Sequence, residues 1–138
     1  MRYYLDTNML YFILLNKQDE IYYEVSAILN DFSTSLYVSS LVVQELILLY
    51  RIGKFRTRLN KTENEILQDI NDARIEIIFF NQHHLKSYAS LRIANEHKDM
   101  NDHAIIAQSI ADKIPVISSD TKFKEYTNQG LNFIFNKR

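Results

Sequence analysis

The sequence predicts an α/β fold built on a mainly parallel sheet covered on both faces, and three observations lead there. Short β-branched or aromatic runs recur along the whole chain, at 2–5, 35–39, 74–80, 115–119 and 131–135. Between them lie longer stretches whose apolar residues repeat at helical spacing. Strand and helix therefore alternate from end to end, which is the order of parallel strands joined by helical crossovers.

The elements follow in turn. "RYYL" (2–5) reads as a short buried strand. Ile21, Val25, Ile28, Leu29 and Phe32 recur at helical spacing and predict a helix there. "SLYVS" (35–39) is strand-like, and Ser39 or Ser40 caps a helix reaching about Tyr50, with Gly53 as its stop. Thr62 with Glu65 fits a capping box that opens a helix to about Ala73. "RIEIIFF" (74–80) is a strand. Residues 82–97 read as a helix with Leu85, Tyr88, Ala89 and Ile93 on one face, and a second helix runs from Asn101 to about Asp112. "PVISS" (115–119) is a strand, "KFKEY" at most a short helix, and "LNFIF" (131–135) the last strand. With two glycines and one proline, caps and period mark the boundaries more than breakers do.

At 138 residues the chain is expected to form one domain with a real core. Hydrophobic residues at 46% and charged ones at 24% exclude a disordered chain. The absence of cysteine excludes disulfides and thiolate metal sites. No apolar run reaches the ~18 residues of a membrane span, and the first residues lack the order of a signal peptide. A soluble cytoplasmic protein is the expectation.

The acids carry the chemistry. Asp6 directly follows the first strand and Asp120 the fourth, so both fall at the carboxyl edge of the sheet, where such folds bind ligands. Asp102 opens the helix leading into the fourth strand, and Glu45 interrupts the apolar helix "SLVVQELILLY". Each has an ordinary explanation alone. Asp6 and Asp102 can be helix caps, Asp120 a turn residue, and Glu45 part of a solvated face. Together the ordinary readings weaken, because clustered carboxylates stay ionised only with a cation among them. With oxygen donors and no thiolate, Mg²⁺ or Mn²⁺ fits best. Such an ion activates water and stabilises charge on a phosphoryl group, so phosphodiester hydrolysis is the natural chemistry.

"YLDTN", "SSLVVQEL" around Glu45, "NDHAIIAQSIA" and "PVISSDTKF" resemble, in that order, the motifs of PIN-domain ribonucleases. The nearest likeness is to the VapC-type toxins of toxin–antitoxin pairs. The resemblance implies a single PIN-like domain over 1–138, folded as a three-layer α/β/α sandwich with a five-stranded, mainly parallel sheet. It implies a metal-dependent ribonuclease in which Asp6, Glu45, Asp102 and Asp120 form the catalytic and metal-binding quartet. Ser118 falls where the family has a small hydroxyl residue that helps order the site, and Asn8 matches the polar residue after the first acid. "HKDMNDHAII" offers Asp99 beside Asp102, but only Asp102 is followed by the apolar turn of the motif, so Asp99 is assigned to the preceding loop. Ser119 departs from the pattern, standing where family members often carry a basic residue. A cognate antitoxin is implied as partner, threading a basic side chain among the carboxylates. A homodimer is expected as well, since surplus aromatic surface must be covered.

Net charge is −1, and setting aside the four acids makes it +3, so RNA as a partner is compatible with the composition. "RIGKFRTRLNK" (51–61) carries Arg51, Lys54, Arg56, Arg58 and Lys61 with no acid. It reads either as a solvated helix end or as a contact for RNA phosphates or an acidic partner segment. His83 and His84, at a helix start, are read as surface or capping residues. His103 is turned about 100° from Asp102 on the helix. Tyr11 and Phe12 are candidates for a partner contact, as are Ile13, Leu14, Ile21 and Val25. Two rival functions stay open: a catalytically inactive PIN-like module that binds RNA or protein, and a phosphatase using Asp6 as nucleophile. The phosphatase would want Asp-x-Asp, and the second position here is Asn8. Neither a G-x-G-x-x-G nor a P-loop is present, which leaves a nucleotide-cofactor enzyme without support.

Overall fold

Five short strands make one sheet in the computed structural model, which describes residues 1–55 and 62–138. They are β1 (Arg2–Leu5), β2 (Ser35–Ser39), β3 (Ile75–Ile78), β4 (Val116–Ser118) and β5 (Phe133–Phe135). All pair in parallel, in the order β3-β2-β1-β4-β5. The helices are α1 (Thr7–Leu14), α2 (Tyr23–Leu29), α3 (Ser40–Arg51), α4 (Glu63–Asp72), α5 (Gln82–Ser90) and α6 (Met100–Asp112). Two 3₁₀ helices, Gln18–Glu20 and Thr121–Gln129, complete the described elements. The path steps outward from β1 to β3, then crosses back to β4. Right-handed crossovers in opposite directions put helices on both faces, giving the three-layer α/β sandwich. β1 lies at the reversal, and Tyr3, Tyr4 and Leu5 are all buried, as a strand covered on both faces requires.

Local chemistry explains most boundaries. Ser39 Oγ accepts the Leu41 N–H at 3.1 Å and starts α3, while Gly53 takes φ +79 beyond its end. The Thr62–Glu65 capping box at α4 is formed in both directions. Asn81 and His84 make the same reciprocal arrangement at α5, so His84 is a capping residue, and a buried one.

Three expectations are corrected. The helix expected over 82–97 ends at Ser90, so Ile93 lies outside it, and of the face expected to include it Tyr88 is half-buried while Leu85 and Ala89 are exposed. Beyond it the chain is held by tertiary bonds that helical periodicity cannot register: the Arg92 N–H donates to Gln129 Oε1, and the Ala94 N–H to Tyr126 Oη. Asn95 and Glu96 then take left-handed φ of 48 and 59. Second, Phe32 lies outside α2 and is fully exposed. Third, Phe12, Ile21 and Val25, expected as candidates for a partner contact, are buried in the core.

A second polar cluster lies at the amino edge of the sheet. Tyr4 Oη donates to Asp112 at 2.5 Å, and His84 Nε2 donates to the same carboxylate at 2.9 Å. It staples β1, α5 and the end of α6. Lys113, just beyond α6, is exposed and left-handed at φ 55. Lys113→Gly should therefore stabilise the fold by roughly 0.5–1 kcal/mol, raising the melting temperature a few degrees. A lower melting temperature in a thermal scan would contradict this. Among the described residues no helix is long and apolar enough to cross a membrane.

Candidate metal centre

The parallel register delivers the first acid to the fourth strand. Tyr4 pairs with Val116 and Leu5 with Ile117, so the next residues in line, Asp6 and Ser118, meet at the carboxyl ends of β1 and β4. That is where the strand order reverses. Asp6 is 6% exposed. Its Oδ1 accepts the Met9 N–H at 2.9 Å, capping α1, and its Oδ2 accepts the Ser118 hydroxyl. Ser118 Oγ in turn accepts the Asp120 N–H at 3.0 Å, and Asp120 Oδ1 accepts the Lys122 N–H at 2.9 Å. One buried hydroxyl thus ties two of the expected acids together.

Asp102 sits in the first turn of α6. The cap of that helix is Asp99, whose Oδ1 accepts the Asp102 N–H at 2.9 Å, so Asp102 does not cap the helix. Its Oδ2 instead accepts from His97 Nε2 at 3.0 Å. Glu45 is half-buried on α3, and its Oε2 accepts the Thr7 hydroxyl at 2.7 Å. Asn8 is exposed. Arg51 and Lys54 are exposed too, with Arg51 Nε 3.4 Å from Glu63. Arg56, Arg58 and Lys61 lie outside the described residues. Beside Glu45, a groove of about 530 Å³ between α3, α5 and α6 is lined by Leu41, Leu48, Leu85, Tyr88 and Met100.

The electrostatics show three carboxyls competing in one place. Burial pushes the Asp6 carboxyl up to about 7, with the charges of Asp102 and Asp120 adding to the rise and the bonds from Ser118 and Met9 opposing it. Burial likewise pushes Asp102 up to about 6, against the bond from His97 and with Asp99 and Asp120. One donor atom each from His97, Asp102 and Asp120 lies within 4.8 Å of the others. Asp6 lies close enough to feel the charges of Asp102 and Asp120, and Glu45 reaches Thr7, the residue after Asp6. Carboxyls at Asp6 and Asp102 whose proton affinity is raised by burial and by neighbouring acids, with one imidazole beside them, suit a divalent cation.

A profile of the PIN domain matches residues 3–129. The chain belongs to the PIN domain family. No curated protein sequence matches it. Among solved structures, VapBC2 from Rickettsia felis, bound to a DNA fragment from its promoter, is similar with a TM-score of 0.66 and 22% identity, over 99% of this chain and 100% of that one. VapBC-1 from nontypeable Haemophilus influenzae is similar at 0.64 and 20%, over 98% of each chain. A toxin–antitoxin complex from Klebsiella pneumoniae matches at 0.55 and 18%, over 89% and 88%. At these identities the likeness is one of fold.

Within this PIN domain, sequence reasoning missed His97, Tyr126 and Thr7. The signal for His97 was the polar stretch "NEHKD", which breaks the apolar period after Ile93.

Proposed function

We propose that this PIN domain is a metal-dependent ribonuclease, Mg²⁺- or Mn²⁺-activated, that serves as the VapC-type toxin of a toxin–antitoxin pair. The observation that carries the reading is the meeting of Asp6, Asp102 and Asp120 at the reversal of the sheet, with Asp6 and Asp102 both raised by burial. Asp6, Asp102 and Asp120, with Glu45 held at Thr7, would hold a divalent cation, which would supply Lewis acidity toward a phosphate oxygen and lower the pKa of a water.

The chain's own groups hold that arrangement in place. Ser118 aims Asp6 and holds the backbone of Asp120, so the ends of β1 and β4 move as one unit. Thr7 holds Glu45 toward the site. Both hydroxyls already donate to carboxylates, and Ser118 is fully buried, so neither is placed to serve as a nucleophile. With both hydroxyls engaged and Asp6 assigned to the cation, water would be the attacking group, which favours hydrolysis over a covalent intermediate.

RNA and DNA oligonucleotides incubated with Mg²⁺ or Mn²⁺ provide the test. Cleavage of RNA alone is expected, lost in excess EDTA and restored by either ion. Turnover that survives EDTA, or that needs Zn²⁺, overturns the reading. The exposed Arg51 and Lys54 would each meet a phosphate. Arg51→Gln with Lys54→Gln should therefore bind RNA with a salt slope shallower by about one for each phosphate no longer neutralised. An unchanged slope leaves both residues as solvated surface.

The partner reading draws on the exposed Leu48, Leu85 and Met100 beside the groove, apolar surface that a second copy or an antitoxin helix would cover. Co-expression with the adjacent reading frame, followed by light scattering, tests it. A harmless monomer that binds no neighbour-encoded protein removes the toxin role while leaving the nuclease role standing.

A further inference from the structure

We propose that His97 is a nitrogen ligand of the cation in this site, so that the centre selects Mn²⁺ over Mg²⁺. The inference rests on the metal-dependent reading above and concerns which donors hold the ion.

His97 Nε2 lies 3.0 Å from Asp102 Oδ2, and a donor oxygen of Asp120 falls within 4.8 Å of both. An octahedral ion with bonds near 2.1 Å has neighbouring donors about 3.0 Å apart and opposite donors about 4.2 Å apart. The imidazole and the Asp102 oxygen are therefore already spaced as adjacent ligands of one ion. His97 is 6% exposed, and its chain segment reaches that position through left-handed Asn95 and Glu96. It is a side chain placed by tertiary structure.

Hydrogen-bond counting at Tyr126 shows that Nε2 can present a lone pair. Tyr126 is fully buried, and its hydroxyl accepts the Ala94 N–H at 3.2 Å. The same oxygen lies 3.1 Å from His97 Nδ1 and 3.2 Å from His103 Nε2. A phenol has one hydrogen and two acceptor positions. Ala94 occupies one acceptor position, so one imidazole donates to Tyr126 and the other accepts from it.

Two arrangements satisfy that count. In the first, Tyr126 donates to His97 Nδ1, His97 donates its Nε2 proton to Asp102, and His103 donates to Tyr126. This suits the metal-free protein. In the second, His97 donates from Nδ1 to Tyr126, Tyr126 donates to His103, and His97 Nε2 carries a lone pair facing the Asp102 oxygen. Two lone pairs 3.0 Å apart repel unless a cation sits against both. The second arrangement is thus the metal-loaded one, and it gives His97 the outer hydrogen bond that metal-ligating histidines have. Passing from first to second, one proton leaves His97 Nε2 and one is taken up at His103 Nδ1. Neither ring changes charge.

A nitrogen donor favours Mn²⁺ over Mg²⁺, because Mg²⁺ strongly prefers oxygen. The measurement is pulsed EPR on Mn²⁺-loaded protein, comparing natural-abundance with ¹⁵N-histidine-labelled chains, alongside titration of Mn²⁺ and Mg²⁺ into wild type, His97→Gln and His103→Gln. Coupling from one directly bound histidine nitrogen is expected, altered by the label, lost in His97→Gln and kept in His103→Gln. The ratio of Mn²⁺ to Mg²⁺ affinity should fall about tenfold in His97→Gln. Bound Mn²⁺ without histidine coupling overturns the proposal and leaves the metal-dependent reading intact. So does an equal loss of both ions in His97→Gln, which would make His97 only a positioning residue for Asp102. Coupling lost in His103→Gln but kept in His97→Gln overturns it as well. No Mn²⁺ bound at millimolar concentration overturns both readings. Where His97→Gln fails to fold, histidine coupling kept in His103→Gln supports the proposal, and its absence from the labelled wild type overturns it.

Discussion

Asp6→Asn should abolish RNA cleavage, by roughly a hundredfold or more, while making the metal-free protein more stable. The two effects share a cause. The wild-type carboxyl is buried among Asp102 and Asp120 and pushed up to about 7, whereas in an unfolded chain it would titrate near 3.9. Between those values the folded state holds a proton that the unfolded state lacks, so stability falls as pH rises from about 4 to about 7. Above pH 7 the penalty is fully present and amounts to as much as ~4 kcal/mol. An asparagine cannot ionise, and its side-chain oxygen can still accept the Met9 N–H. The difference between wild-type and variant melting temperatures should therefore grow from pH 5 to pH 8 in EDTA. Adding Mn²⁺ should raise the wild-type value and leave the variant nearly unmoved. A variant that melts below wild type at pH 8 in EDTA, or that retains turnover, contradicts Asp6 as a ligand.

The second large effect lies at the other edge of the sheet and should separate scaffold from chemistry. Asp112→Ala removes the acceptor shared by Tyr4 and His84. His84 is 1% exposed and cannot turn to water, so a buried donor is left unsatisfied. The expected cost is about 2–4 kcal/mol, which lowers the melting temperature by ~10 °C. Asp102 and Asp112 sit near opposite ends of α6, about 15 Å apart along its axis. Cleavage per folded molecule and metal affinity should accordingly stay at wild-type levels when measured well below the melting point. A matching loss of metal binding would show that the two ends of α6 are coupled.

Much of the architecture was open to reading from residues alone. Strand–helix alternation is a period signal, and a parallel sheet covered on both faces follows from it. Ser39, Gly53 and the Thr62–Glu65 pair act within a few residues, so their roles as caps and stop are legible without a fold. The placing of Asp6 and Asp120 at one edge follows as well, because Asp6 directly follows β1, Asp120 comes two residues after the end of β4, and parallel strands end together.

What the tertiary structure alone decided has a common feature: it depends on bonds between residues far apart in the chain. The helix expected to continue to residue 97 stops at Ser90, because Gln129 and Tyr126, more than thirty positions away, capture the backbone of Arg92 and Ala94. That capture brings His97 beside Asp102, and no helical period could indicate it. Ser118 joins Asp6 to Asp120 only because the pairing of β1 with β4 sets Asp6 opposite it, across 112 positions of sequence. Local propensity acts over a turn or two, and hydrophobic pattern says only which face is buried. Which polar groups share a buried space is settled when distant segments must satisfy one another's hydrogen bonds, and in this chain that requirement assembled the site.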